Sequence, residues 1–167
     1  MILTYVFTVI IILVSLLIQG HASFDVLRIA GVKPDIIFIA VVYLSYCFGS
    51  FYGEVTGFAG GLLHDAVSNS PLGLLTFPNV AVAFVVGMFG RSIFKSNILT
   101  ISLLLFTSSL VKGFITLFLC YVFHEASAQS IISKILPEAF YNALLAPPLF
   151  FIFDKIFERE LENKGYQ

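Results

Sequence analysis

The chain has 167 residues, of which 59% are hydrophobic and 11% charged, and its net charge is −1. A soluble domain is typically about 45–50% apolar and about 25% charged, so this composition is that of a membrane protein. The near-neutral balance gives no argument for a nucleic-acid or anionic partner, and no nucleic-acid partner is expected. Cys47 and Cys120 lie far apart in apolar runs, the setting of buried small hydrophobes and not of a redox or metal pair.

Residues 1–18 form an apolar run of spanning length, since about 20 helical residues cross the hydrocarbon core. A signal peptide is the competing reading, with Gly20 to Ser23 as a small-residue cleavage site. No Lys or Arg precedes the run, so it is expected to be a retained first helix. Residues 19–34 are polar and turn-rich, a loop with room for a short surface helix. Pro34 suits the first position of a helix, where its missing N–H would be unpaired in any case. Asp35 then falls in the first turn, favourable for the helix dipole. The second span covers 35–49 and the third 52–67. Their link is so short that they should form an antiparallel hairpin. The third is weakly hydrophobic, which in lipid predicts a helix shielded by its neighbours.

Asn, Ser, Pro and Gly cluster between Ser68 and Gly73, a turn composition. The fourth span, 73–90, contains Pro78-Asn79 and should kink there, with neighbouring groups satisfying the freed carbonyl. The fifth runs over 98–123, residues 124–137 read as a polar, amphipathic loop, and the sixth span is 138–157 before a charged tail. The expected fold is an all-α, polytopic membrane protein of about six transmembrane helices in a single domain, 1–167. Lys and Arg concentrate on the cytoplasmic side. An N-terminus inside puts Arg91, Lys95, Lys155, Arg159 and Lys164 there, against Arg28, Lys33 and Lys134 outside. Both termini are therefore expected to be cytoplasmic.

Gly53, Gly57 and Gly61 fall at i, i+4 and i+8, with Gly60 alongside. In lipid, such a stripe lets another helix backbone approach closely, so these four are candidate helix-packing or partner-binding residues. Asp65 continues the stripe and His64 adjoins it. An ionisable group in such a place is a functional-site candidate; the alternatives are a proton relay, a metal site shared with His21 and His124, or a helix cap. No H-E-x-x-H or C-x-x-C spacing supports a metal. Lys112 lies 14 residues after Ile98, where an uncompensated cation costs about 2.5–3.5 kcal/mol on insertion scales. Glu54 and Glu138 are its candidate partners. Glu138, Asn142 and Leu145 share one helical face, and Asn142 can hydrogen-bond to another helix, as a polar clamp or as a substrate contact. Asp65, Lys112, Glu138 and Asn142 thus form a candidate polar pocket. There is no nucleophile elbow, P-loop, dinucleotide fingerprint or carboxylate pair, so neither a catalytic residue nor a cofactor is expected.

Several stretches occur in a telling order: Lys33-Pro34-Asp35, then Gly57 to Asp65 (GFAGGLLHD), then Ser70-Pro71-Leu72-Gly73, then Pro137 to Pro147 (PEAFYNALLAP). With the length, hydropathy and charged tail, the chain resembles the bacterial rod shape-determining protein MreD family. His64 departs from the residues expected there and carries no family role. The resemblance implies a non-enzymatic protein of the bacterial inner membrane in the cell-wall elongation machinery. It implies association with the bitopic protein MreC and, with the actin-like MreB, a RodA-type glycosyltransferase and a transpeptidase, a role in rod shape. The family's arrangement is also similar to the S components of energy-coupling-factor transporters. That similarity implies a six-helix bundle with a cavity opening outward near Asp65 and Pro71–Gly73. Two functions are therefore expected in competition: a scaffold for partner membrane proteins in the lipid bilayer, or a component binding a small solute or lipid-linked precursor.

Overall fold

The computed structural model describes residues 2–20, 32–68, 71–93, 97–123 and 128–163. Among them are seven helices: α1 (Ile2–Gly20), α2 (Ile36–Phe48), α3 (Ser50–Ser68), α4 (Thr76–Ile93), α5 (Ile98–Val122), α6 (Ala128–Ile156) and α7 (Glu158–Asn163). The cleavage-like residues 21–23, the interior of the expected surface loop, His21, Arg28, Ser70, Lys95, His124 and Lys164 lie outside the described residues. By length and composition, α5 and the Ile132–Ile156 part of α6 can cross a membrane; Thr4–Gly20, Ile36–Phe48 and Thr76–Gly90 are shorter apolar helices.

The sequence of α2, IIFIAVVYLSYCF, is apolar on every side, and a helix of that kind belongs in an interior. Every residue from Ile37 to Cys47 is buried. Helices α3 and α4 pack on α2 and on each other, α1 lies against α2 and α3, and α5 pairs with α6. The enclosed helix is therefore the second, not the third as expected. Helix α3 turns Phe51, Val55, Phe58 and Val67 outward. Its weak hydrophobicity comes from glycines used up in one contact face, so it does not report enclosure. At 13 residues and about 1.5 Å rise each, α2 is shorter than a bilayer core of about 30 Å.

Helix α5 buries Ile101, Leu105, Ser108, Ser109, Lys112, Thr116 and Cys120. Helix α6 answers with Ala139, Asn142, Ala146, Phe150 and Phe153. Steps of three and four residues, with Ser108 and Ser109 adjacent, put each set on one stripe. Gly113 brings the pair together: a Cβ there would lie 2.8 Å from the Ile135 side chain. Two polar contacts tie the far end of the bundle. Thr8 Oγ1 and the Tyr52 hydroxyl are 2.6 Å apart, joining α1 to α3, and the Tyr43 hydroxyl donates to Asp154 at 2.9 Å, joining α2 to α6.

Three local expectations are corrected. Helix α2 begins at Ile36 and Asp35 is its N-cap, accepting from Phe38 N at 3.0 Å; a carboxylate there satisfies an otherwise orphan donor. Pro78 is the third residue of α4, where its missing N–H falls among those with no intrahelical partner, so no kink is needed. The non-helical point of α4 is Gly90 (φ 45°, ψ −178°). Residues 128–137 are helix, not loop, and α6 runs through Pro137, Pro147 and Pro148.

The glycine stripe faces the chain's own helices. A Cβ at Gly53 would sit 1.6 Å from Ser45 Oγ on α2, and one at Gly61 would sit 2.6 Å from Thr76 Cα on α4. At Gly57 the nearest atom would be the Asn79 carbonyl oxygen at 3.3 Å, and at Gly60 the Ile37 side chain at 3.3 Å. Ser45 also donates to Ala83 O at 2.6 Å, pinning α2 to α4. Gly87, which the sequence pattern does not single out, passes the α2–α3 turn most closely: its Cβ would lie 2.4 Å from both N and Cα of Ser50. Backbone atoms cannot step aside as a side-chain tip can. Gly61→Ala and Gly87→Ala are each expected to lower stability by about 1–3 kcal/mol through overpacking. Gly60→Ala meets only a side chain and gains helix propensity, so it should stay within about 1 kcal/mol of wild type. Thermal unfolding in detergent reads the order, and equal midpoints for all three variants would refute it.

Candidate functional site

Three ionisable groups, Asp35, Lys112 and Glu138, gather where α1 ends, α2 begins, and α5 and α6 pass. Lys112 projects from the buried stripe of α5 and forms a charged hydrogen bond with Asp35 Oδ2. It donates a second, at 2.9 Å, to Glu138 Oε1 on α6. Its Nζ lies 4.8 Å from the Phe38 ring centroid, within reach of a cation–π attraction. The Lys112 and Asp35 side chains are each 7% exposed, and that of Glu138 is 29% exposed. Two carboxylates against one ammonium leave this cluster with an excess of negative charge.

Asp35 is held from every side. Its Oδ1 accepts from Phe38 N and, at 3.1 Å, from Gln19 Nε2 on α1. Its backbone N–H donates to Asn142 Oδ1 on α6 at 2.9 Å. The Asn142 amide in turn donates to Ser109 Oγ on α5 at 3.1 Å. Asn142 is wholly buried, so both ends of its amide need partners, and both have them. Hydrogen bonds to ionised groups in a low-dielectric interior are about twice as strong as neutral ones, and here they join four helices.

Asp65 forms a second, separate polar centre. Its Oδ2 accepts from Gly73 N at 2.8 Å, Thr76 Oγ1 at 2.6 Å and Thr76 N at 3.3 Å, while Oδ1 accepts from Leu75 N at 2.9 Å. The wholly buried carboxylate thus closes the turn between α3 and α4 and receives the first N–H groups of α4. Those donors have no intrahelical acceptor, and a negative charge at a helix start is favourable.

A cavity of about 310 Å³ opens beside the ion cluster, lined by Gln19, Lys33, Asp35, His64, Lys112 and Glu138 among others. A neighbouring one of about 370 Å³ shares Gln19, Lys33, His64 and Ser68 with it. Gln19 Oε1 and His64 Nδ1 are buried with no hydrogen-bond partner among the described residues. Asn79, inside α4 and wholly buried, leaves both amide atoms without one.

Of the four residues expected to form one polar pocket, Lys112, Glu138 and Asn142 do come together, and Asp65 stands apart in its turn. Asp35, read from the sequence only as a dipole partner, is the hub, and the place considered for Glu54 is filled by Asp35 and Glu138. A usable signal existed: a buried Lys needs a carboxylate, and Asp35 sits at the foot of an apolar segment. Gln19 and Thr76 carried no such signal. Gly53, Gly57, Gly60 and Gly61 lie in the α3 contacts with α2 and α4, away from the ion cluster. Among the described residues no group of three or more His, Cys, Asp or Glu could hold a metal ion.

A family model described as rod shape-determining protein MreD matches residues 1–159. No curated protein and no solved structure matches the chain.

Removing the shared cation should be the most damaging change in the cluster. Lys112→Met leaves two carboxylates uncompensated and is expected to cost about 3–5 kcal/mol. Glu138→Gln should cost less, because this side chain is partly exposed and an amide oxygen can still accept from Lys112. Thermal melts in detergent compare them, and a reversed order would mean that Lys112 does not hold the cluster together. Asp65→Asn turns an NH₂ toward backbone donors that now meet oxygen, so a loss of about 1–3 kcal/mol is expected. Wild-type stability for this variant in the same assay would remove Asp65 from its role in the turn.

Proposed function

The chain belongs to the rod shape-determining protein MreD family, and from that premise we propose that it is a non-enzymatic scaffold of the cell-wall elongation machinery in the bacterial inner membrane. The family match over residues 1–159 carries this reading. The proposed partners are an MreC-type bitopic protein, MreB, a RodA-type glycosyltransferase and a transpeptidase. The internal geometry supports a structural role: Asp35, Lys112, Glu138, Asn142 and Asp65 all bond within the bundle. Apolar side chains on α1, α3, α5 and α6, such as Leu17, Phe58, Phe118 and Phe151, face outward, toward lipid or partner helices. In this reading α1–α6 all cross the bilayer, with both termini cytoplasmic. The bonds joining the end of α1 to the start of α2, and the end of α3 to the start of α4, support alternating directions.

The second reading, a component that binds a small solute or a lipid-linked precursor in an arrangement similar to a transporter S subunit, is favoured by one observation: the cavity beside Lys112. Co-purification in mild detergent separates the two. The scaffold reading expects an MreC-type partner to be retained by the folded wild-type protein. Reproducible failure of the folded wild-type protein to retain any such partner would overturn it.

A further inference from the structure

Helix α6 runs from Ala128 to Ile156 through two adjacent prolines, Pro147 and Pro148. Proline has no backbone N–H, so Pro147 gives no donor to Ala143 O and Pro148 gives none to Leu144 O. Because the prolines are consecutive, the fallback positions are lost as well. Ala143 O is deprived of its i+4 and i+5 donors together, and Leu144 O of its i+3 and i+4 donors. The N–H groups still within reach are those of Ala146 and Leu149, and the helical pattern assigns them to Asn142 O and Leu145 O.

These two carbonyls lie halfway along the span, on its outward side. Leu144 is the middle residue of Ile132–Ile156, the part of α6 that can cross a membrane. It is 73% exposed, and Pro148, one turn further on, is exposed as well. Phe140 and Phe151 continue the same face outward, whereas Ala139, Asn142, Ala146 and Phe150 make the buried one. Among the described residues, no helix of this chain stands over Leu144. The hydrocarbon core supplies no water in place of a missing donor. A spanning helix tolerates proline where a neighbouring helix, or a Ser or Thr side chain, satisfies the freed carbonyl.

The oxygens also narrow the chemistry of the occupant. Each carries partial negative charge and only accepts, so its complement is a donor. An ammonium or guanidinium is costly at this depth, which leaves hydroxyls and side-chain amides. A second copy of the chain has none to offer. Near the middle of the outward faces, the exposed side chains among the described residues are apolar except Thr107. Its hydroxyl is already given to Leu103 O and Leu104 O of its own helix.

We propose that the outward face of α6 at Leu144 and Pro148 is a docking surface for a transmembrane helix of a partner protein, which sets a Ser, Thr, Asn or Gln side chain against the Ala143 and Leu144 carbonyls. This deepens the scaffold reading and rests on it.

The probe is a synthetic leucine-rich transmembrane helix with one central Ser. An all-Leu helix, and one with Ser near its end, are the controls. Fluorescence transfer from the labelled full-length protein to the labelled peptide, in phosphatidylcholine vesicles, reads association. The central-Ser helix should associate about threefold more tightly than either control, the preference given by one interhelical hydrogen bond in a membrane. Substituting Pro147→Ala and Pro148→Ala together returns both N–H groups and raises helix propensity. That protein should melt at or above the wild-type midpoint and lose the preference. Leu144→Trp covers the carbonyls from an exposed position, so it should melt as wild type does and lose the preference too. Equal binding of all three peptides, or a preference that survives in either folded variant, would overturn the proposal. Self-association of the wild-type protein that both variants abolish would assign the face to a second copy and overturn it as well. Retention of an MreC-type partner by the folded wild-type protein, which the peptide assay does not involve, reports on the scaffold reading separately.

Discussion

A lysine in the middle of an apolar helix has to be neutralised by something near, and Lys112 sets the constraint that the rest of the bundle meets. Its two carboxylates come from different places, the foot of α2 and the first half of α6. Satisfying it therefore fixes how far α2 rises against α5 and how α6 is rotated toward both. Asp35 does several jobs with one side chain: it caps α2, receives Gln19 from α1 and binds Lys112. A buried ion pair of this kind is weak evidence for added stability, because desolvation offsets much of the attraction. Its clearer consequence is register, since any slip along α5 would strand a charge in the interior.

The other half of the bundle is held by different physics. Between α2, α3 and α4 the helices meet closely where glycines lack a side chain, backbone against backbone at Gly61 and Gly87 and against the Ser45 side chain at Gly53. In lipid, where burying apolar surface between helices gains little, such close packing and a few internal hydrogen bonds must do the joining. Asp65 completes this half by collecting the free N–H groups at the start of α4. Helix α2 belongs to both halves, which is why it is enclosed along its length.

The cavity lies where the two halves meet. Carboxylates, an amide and an imidazole are brought to one wall by elements far apart in the chain: the end of α1, the start of α2, the end of α3 and the interior of α6.

Much of this was legible in the residues. The low charge and long apolar runs determined an all-helical membrane protein, and the spacing of Gly53, Gly57 and Gly61 determined a face for close contact. Asn142 was readable as a group able to bond across helices, and Glu138 as one of two candidate partners for Lys112, because a buried polar group has few ways to be satisfied. The tertiary structure alone decided that Asp35 is the hub, that the glycines meet α2 and α4 of the same chain, that α2 and not α3 is enclosed, and that Gly87 lies against the backbone of the α2–α3 turn. Those outcomes depend on which neighbour arrives at a given height on a helix. Periodicity along one segment tells which face is special, but the identity of what lies against it is a property of the packing of all the helices together.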